Sequence, residues 1–294
     1  MQLDMTKGRP MPIILKFFVP IFIGNMFQQF YNMVDSIIVG RYVGEEAFAA
    51  VGSTGTIMFL VLGFANGLST GFTVLTSQKF GAKDEKGIRQ SVSNAIILSV
   101  IVSVVMTIIS VLSMGALLHL MNTPKNIYHY AYDYIIIITG GTAAVCFYNL
   151  FSALLRAVGN SKAPLFFLIL SAVLNIFLDL LFIIRFRWEV QGAAIATIAS
   201  QAISAVCCLF YILAKVKILV PHRDEWKING HYAKKQLAVG FPMALQFGIT
   251  ASGTLIMQSA INRFGSTAIA GFNASSKVGN LLTQAFPALG QSMA

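Results

Sequence analysis

Charged residues are scarce in this chain, and their scarcity decides its class. They make up 11% of the 294 residues, whereas 56% of the residues are hydrophobic. About a quarter of the residues of a soluble protein are charged, so a soluble globular fold is excluded. Apolar runs of the length a helix needs to cross a bilayer, about 20 residues, recur from end to end. The sequence predicts an all-α, polytopic membrane helix bundle.

Cysteine and histidine are also rare, with three and four residues respectively. Cys146, Cys207 and Cys208 fall inside predicted helices without the spacing of metal ligands, so packing in the membrane accounts for them. The histidines are scattered, and no nucleophile elbow or phosphate-binding loop is present. The sequence therefore predicts neither an enzyme nor a bound cofactor.

Acidic residues are outnumbered by basic ones, 11 against 21. In a soluble protein this balance would suggest a nucleic-acid partner, but here the basic residues gather in short links between apolar runs. When the predicted helix ends are numbered alternately, 15 basic residues fall on one side and five on the other, with Lys277 left inside a helix. The positive-inside rule then predicts a multi-pass protein of the plasma (inner) membrane with a cytoplasmic N-terminus and no nucleic-acid partner.

The apolar runs divide the chain into helices and domains. Eight helices are predicted, at 13–40, 49–77, 91–118, 131–153, 164–185, 191–214, 236–262 and from 267 to the end. Residues 1–214 form a six-helix N-terminal lobe, 215–235 a cytoplasmic linker, and 236–294 the first two helices of a repeated second lobe. Because the eighth helix has no exit before the last residue, we expect a C-terminally truncated protein that is a monomer when complete.

A polar stripe marks the first helix. Asn25, Gln28, Asn32 and Asp35 are spaced by three, four and three residues, which places them on one helix face. A carboxylate at that depth is a functional candidate, since it must face a protein-lined or water-filled cavity. An Asp35 that lies near the outer interface, close to Gly40, is the alternative interpretation.

The fifth predicted helix carries a second acid. Asn175 and Asp179 lie one turn apart on its face, and Thr197 and Gln201 share a stripe on the next helix. Two buried carboxylates repel each other if both are ionised, so one binds a proton or a cation lies between them. Neutral oxygens such as that of Thr197 suit a hard cation such as Na⁺.

Further polar residues are candidates for the lining of a cavity. Tyr134, Tyr148 and Asn149 on the fourth predicted helix can face the same space as Asp35. The complete set of lining candidates is Asn25, Gln28, Asn32, Tyr134, Tyr148, Asn149, Gln201 and Gln246. On the second helix, Gly63, Gly67 and Gly71 recur every four residues, a pattern that lets a neighbouring backbone approach closely.

Ordered motifs along the chain add a family resemblance. They are Pro20, Gln28, Asp35, Gly40, Gly44-x-x-Ala47-x-Ala49-Ala50-Val51-Gly52, Ser77-Gln78-x-Phe80-Gly81-Ala82, Leu155-Arg156-Ala157-x-Gly159-Asn160-x-x-x-Pro164, Asn175-x-x-x-Asp179 and Gly192-Ala193-Ala194-x-Ala196-Thr197-x-x-Ser200-Gln201. Together they cover essentially the whole chain, and the set resembles the multidrug and toxic compound extrusion (MATE) family. The resemblance implies twelve helices in two six-helix lobes, a central cavity, and drug export driven by Na⁺ or H⁺.

The resemblance also implies a set of coupling residues. The cation site of the family's N-terminal lobe corresponds here to Asp35, Asn175, Asp179 and Thr197. One branch has an essential acid on helix seven, where this chain has Gln246 and no carboxylate. The chain therefore resembles the branch that couples through the N-terminal lobe, and Na⁺ is a possible ligand of that site.

The expected function is secondary active antiport, in which an amphipathic and cationic drug or toxin leaves in exchange for H⁺ or Na⁺. The expected partners are such small organic compounds and the lipid bilayer. A flippase for lipid-linked oligosaccharides, whose related folds carry a more basic cavity, is the first alternative. A non-transporting membrane scaffold is the second.

Overall fold

The computed structural model describes residues 10–293, and every regular element in that range is helical. The predicted cytoplasmic N-terminus, at residues 1–9, lies outside the described residues. The elements are α1 (Pro10–Tyr42), α2 (Glu45–Gly81), α3 (Glu85–Leu120), α4 (Lys125–Gly140), α5 (Thr142–Ala157), α6 (Lys162–Asp179), α7 (Glu189–Lys215), α8 (Gly230–Asn262), α9 (Ser266–Thr283) and α10 (Ala285–Met293). The predicted fold class is confirmed.

Length and apolarity identify most of these helices as membrane spans. Five helices of the described range qualify, namely α2, α3, α6 with its extension to Arg185, α7 and α8, and the bent pair of α4 and α5 makes a sixth. At 33 residues α1 is also long enough to cross a bilayer.

The fourth predicted helix is broken, which corrects the prediction of one continuous helix over 131–153. Helices α4 and α5 are bent by 49° at Gly141. The side chain of Ile198 on α7 lies so close to Gly141 that a Cβ there would collide with it. Glycine therefore permits α7 to pack into the bend.

Two other boundaries differ from the prediction. After Asp179, α6 continues as a π-helical turn over Leu180–Arg185, so the predicted helix at 164–185 changes its winding part-way. At the far end of the predicted linker, α8 begins at Gly230, and residues 230–235 are therefore helical. The asparagine before it, Asn229, caps the helix by accepting a hydrogen bond from the His231 N–H at 3.0 Å.

The glycines that the sequence predicts to allow close approach on α2 lie in its contact with α8. Gly63, Gly67 and Gly71 face Phe247, Ala244 and Gly240 of α8 in that order. A Cβ at Gly67 would lie 2.8 Å from the Ala244 Cα, so the backbones of the two helices touch. Small residues on both sides allow this approach, which gains dispersion contacts where lipid supplies no hydrophobic driving force.

The linker between α7 and α8 is held against α3. The Arg89 Nε donates to both carboxylate oxygens of Glu225, each at 3.1 Å, and Glu225 Oε2 also accepts from the backbone N–H of His222 at 2.8 Å. Farther on, the Asn229 N–H donates to Asn94 Oδ1 at 3.0 Å. These contacts position the start of α8. The division of the chain into two lobes stays a prediction.

Candidate functional site

Two carboxylates meet inside the bundle. Asp35 of α1 and Asp179 of α6 are both buried, and their carboxyl groups are adjacent. Asp35 Oδ1 and both oxygens of Asp179 have no hydrogen-bond partner among the described residues. Adjacent carboxylate oxygens in an apolar interior require a proton or a cation to compensate their charge. This arrangement is the candidate coupling site.

Two neutral polar side chains, one of them a helical turn from Asp179, are joined by a hydrogen bond. Asn175 lies one turn before Asp179, and its Nδ2 donates to Thr197 Oγ1 of α7 at 3.3 Å. This bond leaves Asn175 Oδ1 buried without a partner among the described residues. A carboxylate pair with an amide oxygen and a hydroxyl oxygen is a ligand set that suits a hard cation or a shared proton.

Two tyrosines and an amide complete the surroundings. Tyr31 of α1 and Tyr134 of α4 are buried next to both carboxylates. Gln201 of α7 is buried beside Tyr31. Beyond Asp35 along α1, a cluster of apolar side chains covers the site. Its buried members are Ile38, Val39, Ala47, Val51, Tyr134, Ile138, Ile183, Val190, Ala193 and Ala194. The cluster keeps the carboxylates out of contact with water on that side.

The winding of the helix changes directly after Asp179. The α-helical part ends at this residue, and the wider π-helical turn follows immediately. Such turns are frequent at functional sites because they rotate the side chains that follow them. The period of the sequence predicts that Asn175 and Asp179 share a face, but it does not predict the change of winding.

Lys277, which the sequence analysis places inside a helix without a role, reaches the site. Lys277 of α9 is half-buried, and its Nζ donates to the backbone carbonyl oxygen of Asn32 at 3.2 Å. Its charge interacts with Asp35, one turn farther along α1. The available signal was a single cation inside an apolar helix, which marks a functional candidate in a membrane protein.

A cavity of about 510 Å³ lies along the first halves of α1 and α8. That volume suits a drug-sized molecule. Of the predicted lining residues, five face it, namely Asn25, Gln28, Tyr148, Asn149 and Gln246. Asn66, Thr70, Ser152, Arg156, Ser161 and Thr250 add further polar groups. The seven residues from Gln28 to Asp35 correspond to about 10 Å along α1, so one helix connects the cavity to the acid pair.

Three of the predicted lining residues lie elsewhere. Tyr134 and Gln201 pack with the acid pair, and Asn32 offers its backbone carbonyl to Lys277. The cavity and the carboxylates are thus two neighbouring places rather than the single space that the sequence predicts. Stripes on separate helices converge at different depths because the helices cross at angles that the sequence period does not encode.

Comparison with known proteins assigns the family. The MatE family model matches residues 20–181, more than half of the chain. The chain belongs to the MatE family. It is 31% identical over 95% of its length to the probable multidrug resistance protein YpnP of Bacillus subtilis, of which it covers 62%. With the probable multidrug resistance protein NorM of Thermotoga maritima it shares 28% identity over 96% of its length, and it covers 61% of that protein.

The fold of this MatE chain is that of solved transporters. It superimposes with a TM-score of 0.88 on a structure described as the outward-facing conformation of a multidrug resistance MATE family transporter of the MOP superfamily. The two share 24% identity, and the match covers 99% of this chain and 66% of that one. The chain spans about three fifths of the length of the curated relatives it matches. The predicted family is confirmed.

The residues that the resemblance implied for a cation site lie together in the MatE fold. Asp35, Asn175, Asp179 and Thr197 come from three different helices and converge beside one another. Gln246 of α8 lies in the lining of the cavity instead. Within the described residues no group of three or more His, Cys, Asp and Glu side chains gathers, so a metal site of that type is absent there.

Proposed function

We propose that the full-length protein is a secondary active antiporter of the inner membrane that exports amphipathic organic compounds in exchange for H⁺ or Na⁺. The observation that carries the proposal is the buried pair of Asp35 and Asp179, in which Asp35 Oδ1 and both oxygens of Asp179 lack donors among the described residues. The names of the relatives, which are probable multidrug resistance proteins, support an organic cargo.

The coupling ion is held by the acid pair. A proton shared between Asp35 and Asp179 removes one negative charge, and Na⁺ between them compensates the same charge by coordination to oxygen. Asn175 Oδ1 and Thr197 Oγ1 supply neutral ligands for the second case. Because both ions use the same oxygens, protons and Na⁺ compete for the site.

Binding at the acid pair is transmitted to the cavity by α1. Asp35 lies on the same helix as the lining residues Gln28 and Asn25, about 10 Å and about 15 Å along its axis from them. A bound ion changes the charge that α1 presents to α6 and therefore favours a different packing of the two helices. Exchange follows when the cargo and the ion bind the two packings with different affinities.

The lining of the cavity does not favour a positively charged cargo. A cationic compound was expected, yet the described lining of the cavity contains no carboxylate and one arginine. Amide, hydroxyl and aromatic groups provide contacts for compounds of varied shape. We therefore propose an amphipathic cargo and do not assign a positive charge to it.

Neutralising substitutions test the proposal. Asp35→Asn combined with Asp179→Asn keeps the size of both side chains and removes the charge that holds the ion. In cells without their own pumps, the full-length double variant should retain expression and lose ion-driven efflux of a fluorescent amphipathic dye. Efflux by the double variant at the parental rate, with the parental dependence on pH and Na⁺, would contradict the proposal.

A third acid provides the matched control. Asp133 of α4 accepts a hydrogen bond from Gln191 at 3.1 Å and lies 3.2 Å from the ring of His129, which is exposed. It is separated from the acid pair and absent from the cavity lining. Asp133→Asn should therefore leave the rate and its ion dependence unchanged. A loss equal to that of the double variant would show that any buried acid on these helices matters in the same way.

A further inference from the structure

Arg156 brings an uncompensated positive charge to the cavity. It lies in the last turn of α5, is half-buried, and faces the cavity. Within the described part of the chain its guanidinium forms no hydrogen bond or ion pair, although it carries five N–H donors. Its titratable neighbours are Tyr148 and Cys208, which are uncharged at neutral pH.

The carbonyl end of α5 does not account for this arginine. A cation is favoured at a helix C-terminus by the helix dipole. That interaction leaves the planar donors of the guanidinium without acceptors among the described residues, and they face the cavity. An oxyanion inside the cavity would satisfy both the charge and the donors.

Other groups at this end of the cavity also favour an anion. Asn149, Ser152 and Arg156 are spaced by three and four residues, so they line one face of α5. Ser161, the residue before α6, and Pro164 of its first turn belong to the same lining. The amino end of a helix is the positive end of its dipole and favours a negatively charged group.

The turn between the two helices holds these groups in place. Gly159 adopts φ +82°, a left-handed conformation that glycine permits at little strain. Asn160 follows, and its Oδ1 accepts from the Ala163 N–H at 3.1 Å while its Nδ2 donates to the Tyr211 hydroxyl of α7 at 3.3 Å. The start of α6 is thereby fixed against α7.

We propose that Arg156, Ser161 and the first turn of α6 form an oxyanion subsite of the cavity, which binds a carboxylate, phosphate or sulfonate group of an amphipathic cargo. This inference rests on the proposed export function and assigns a chemical class to its cargo. The guanidinium binds the oxyanion through two parallel hydrogen bonds, and the Ser161 hydroxyl donates a third. The apolar body of the compound contacts Phe59, Leu165 and Phe247 in the rest of the lining.

Matched probes test the subsite by equilibrium binding. Pyrenebutyrate and pyrenebutanol share an aromatic body and differ in charge, so the ratio of their dissociation constants reports the subsite alone. In nanodiscs of phosphatidylcholine, the full-length protein should bind pyrenebutyrate about tenfold more tightly than pyrenebutanol. A charge-assisted hydrogen bond contributes a difference of about that size. Arg156→Gln should abolish that preference, and Arg156→Lys should retain part of it because the charge stays while the bidentate geometry is lost.

A second arginine serves as the control for net charge. Arg41 lies exposed at the end of α1 and outside the cavity lining, so Arg41→Gln should keep the parental preference. Repeating the titration with phosphatidylglycerol in the nanodiscs distinguishes a lipid head group from a cargo. Competition by the anionic lipid that disappears in Arg156→Gln assigns the subsite to a lipid phosphate, whereas unchanged binding assigns it to the cargo.

Two results would overturn the inference. The first is equal affinity of the parental protein for the two probes. The second is an equal loss of both probes in Arg156→Gln, which would show a structural role of the arginine. The antiport proposal is tested separately by efflux. If Arg156→Gln still exports the uncharged probe with the parental ion dependence, the antiport proposal holds even when the oxyanion subsite is overturned. If Arg156→Gln does not fold, the parental preference and Arg156→Lys still decide the question.

Discussion

Lys277 Nζ donates a 3.2 Å hydrogen bond to the backbone carbonyl oxygen of Asn32, and this bond joins α9 to α1 beside the acid pair. The same carbonyl accepts from the Ser36 hydroxyl at 2.8 Å. A lysine at this position places a fixed positive charge one helical turn from Asp35. A cation that binds to the acids is therefore repelled by a charge that belongs to the protein.

Replacement of Lys277 should alter ion binding before it alters folding. Lys277→Gln removes the repulsion, so the concentration of the coupling cation that gives half-maximal efflux should fall several-fold in the full-length protein. Lys277→Arg keeps the charge and should stay close to the parental value. An unchanged half-maximal concentration in Lys277→Gln would show that the lysine only anchors α9.

The contact of α2 with α8 should tolerate no side chain at Gly67. A Cβ there would meet the Ala244 Cα at 2.8 Å and the Met243 carbonyl oxygen at 2.9 Å, and both belong to a backbone that cannot rotate away. Gly67→Ala should lower the free energy of unfolding by about 1–3 kcal/mol, the usual effect of overpacking. Thermal denaturation of the purified full-length protein measures the change.

Gly55 on the same helix is the matched control for that substitution. A Cβ built at Gly55 meets nothing within 4 Å. Gly55→Ala should therefore stabilise α2 by about 0.5–1 kcal/mol through reduced backbone freedom. Equal effects of the two substitutions would mean that helix propensity, and not the contact with α8, determines the response.

The ion pair of Arg89 and Glu225 should stabilise the linker between α7 and α8. Arg89→Met leaves Glu225, whose side chain is 5% exposed, without its cationic partner and should destabilise the protein by about 2 kcal/mol. Glu85 lies 3.7 Å from the same arginine but is 71% exposed, so Glu85→Gln should change stability by less than about 0.5 kcal/mol. Chemical denaturation of both variants, with limited proteolysis of the linker, checks the difference. Equal losses of stability in the two variants would show that the effect does not depend on which carboxylate pairs with Arg89.

Labelling should place the start of α8 on the cytoplasmic side. The distribution of basic residues predicts that the α3–α4 link faces outward and the α7–α8 link inward. Asn126 and Gly230 are both exposed and lie in these two places. A membrane-impermeant thiol reagent should react with Asn126→Cys in intact cells and miss Gly230→Cys until the cells are opened. The reverse pattern would invert the topology.

The sequence by itself determined the class of the protein and the faces of its helices. Scarce charge and long apolar runs require membrane helices, since the backbone must satisfy its own hydrogen bonds in lipid. The period of 3.6 residues placed Asn175 with Asp179, and Asn25 with Asp35, before any contact was known. Family motifs then indicated which of these residues act together.

Only the tertiary structure decided which faces meet. Apolarity does not select partners among helices in lipid, because association depends on small residues, shape and rare polar contacts. The approach of α8 to Gly67, the bend at Gly141 and the reach of Lys277 to Asn32 all follow from such packing. For the same reason the predicted polar residues separate into an acid site and a cavity, at depths that depend on how the helices cross.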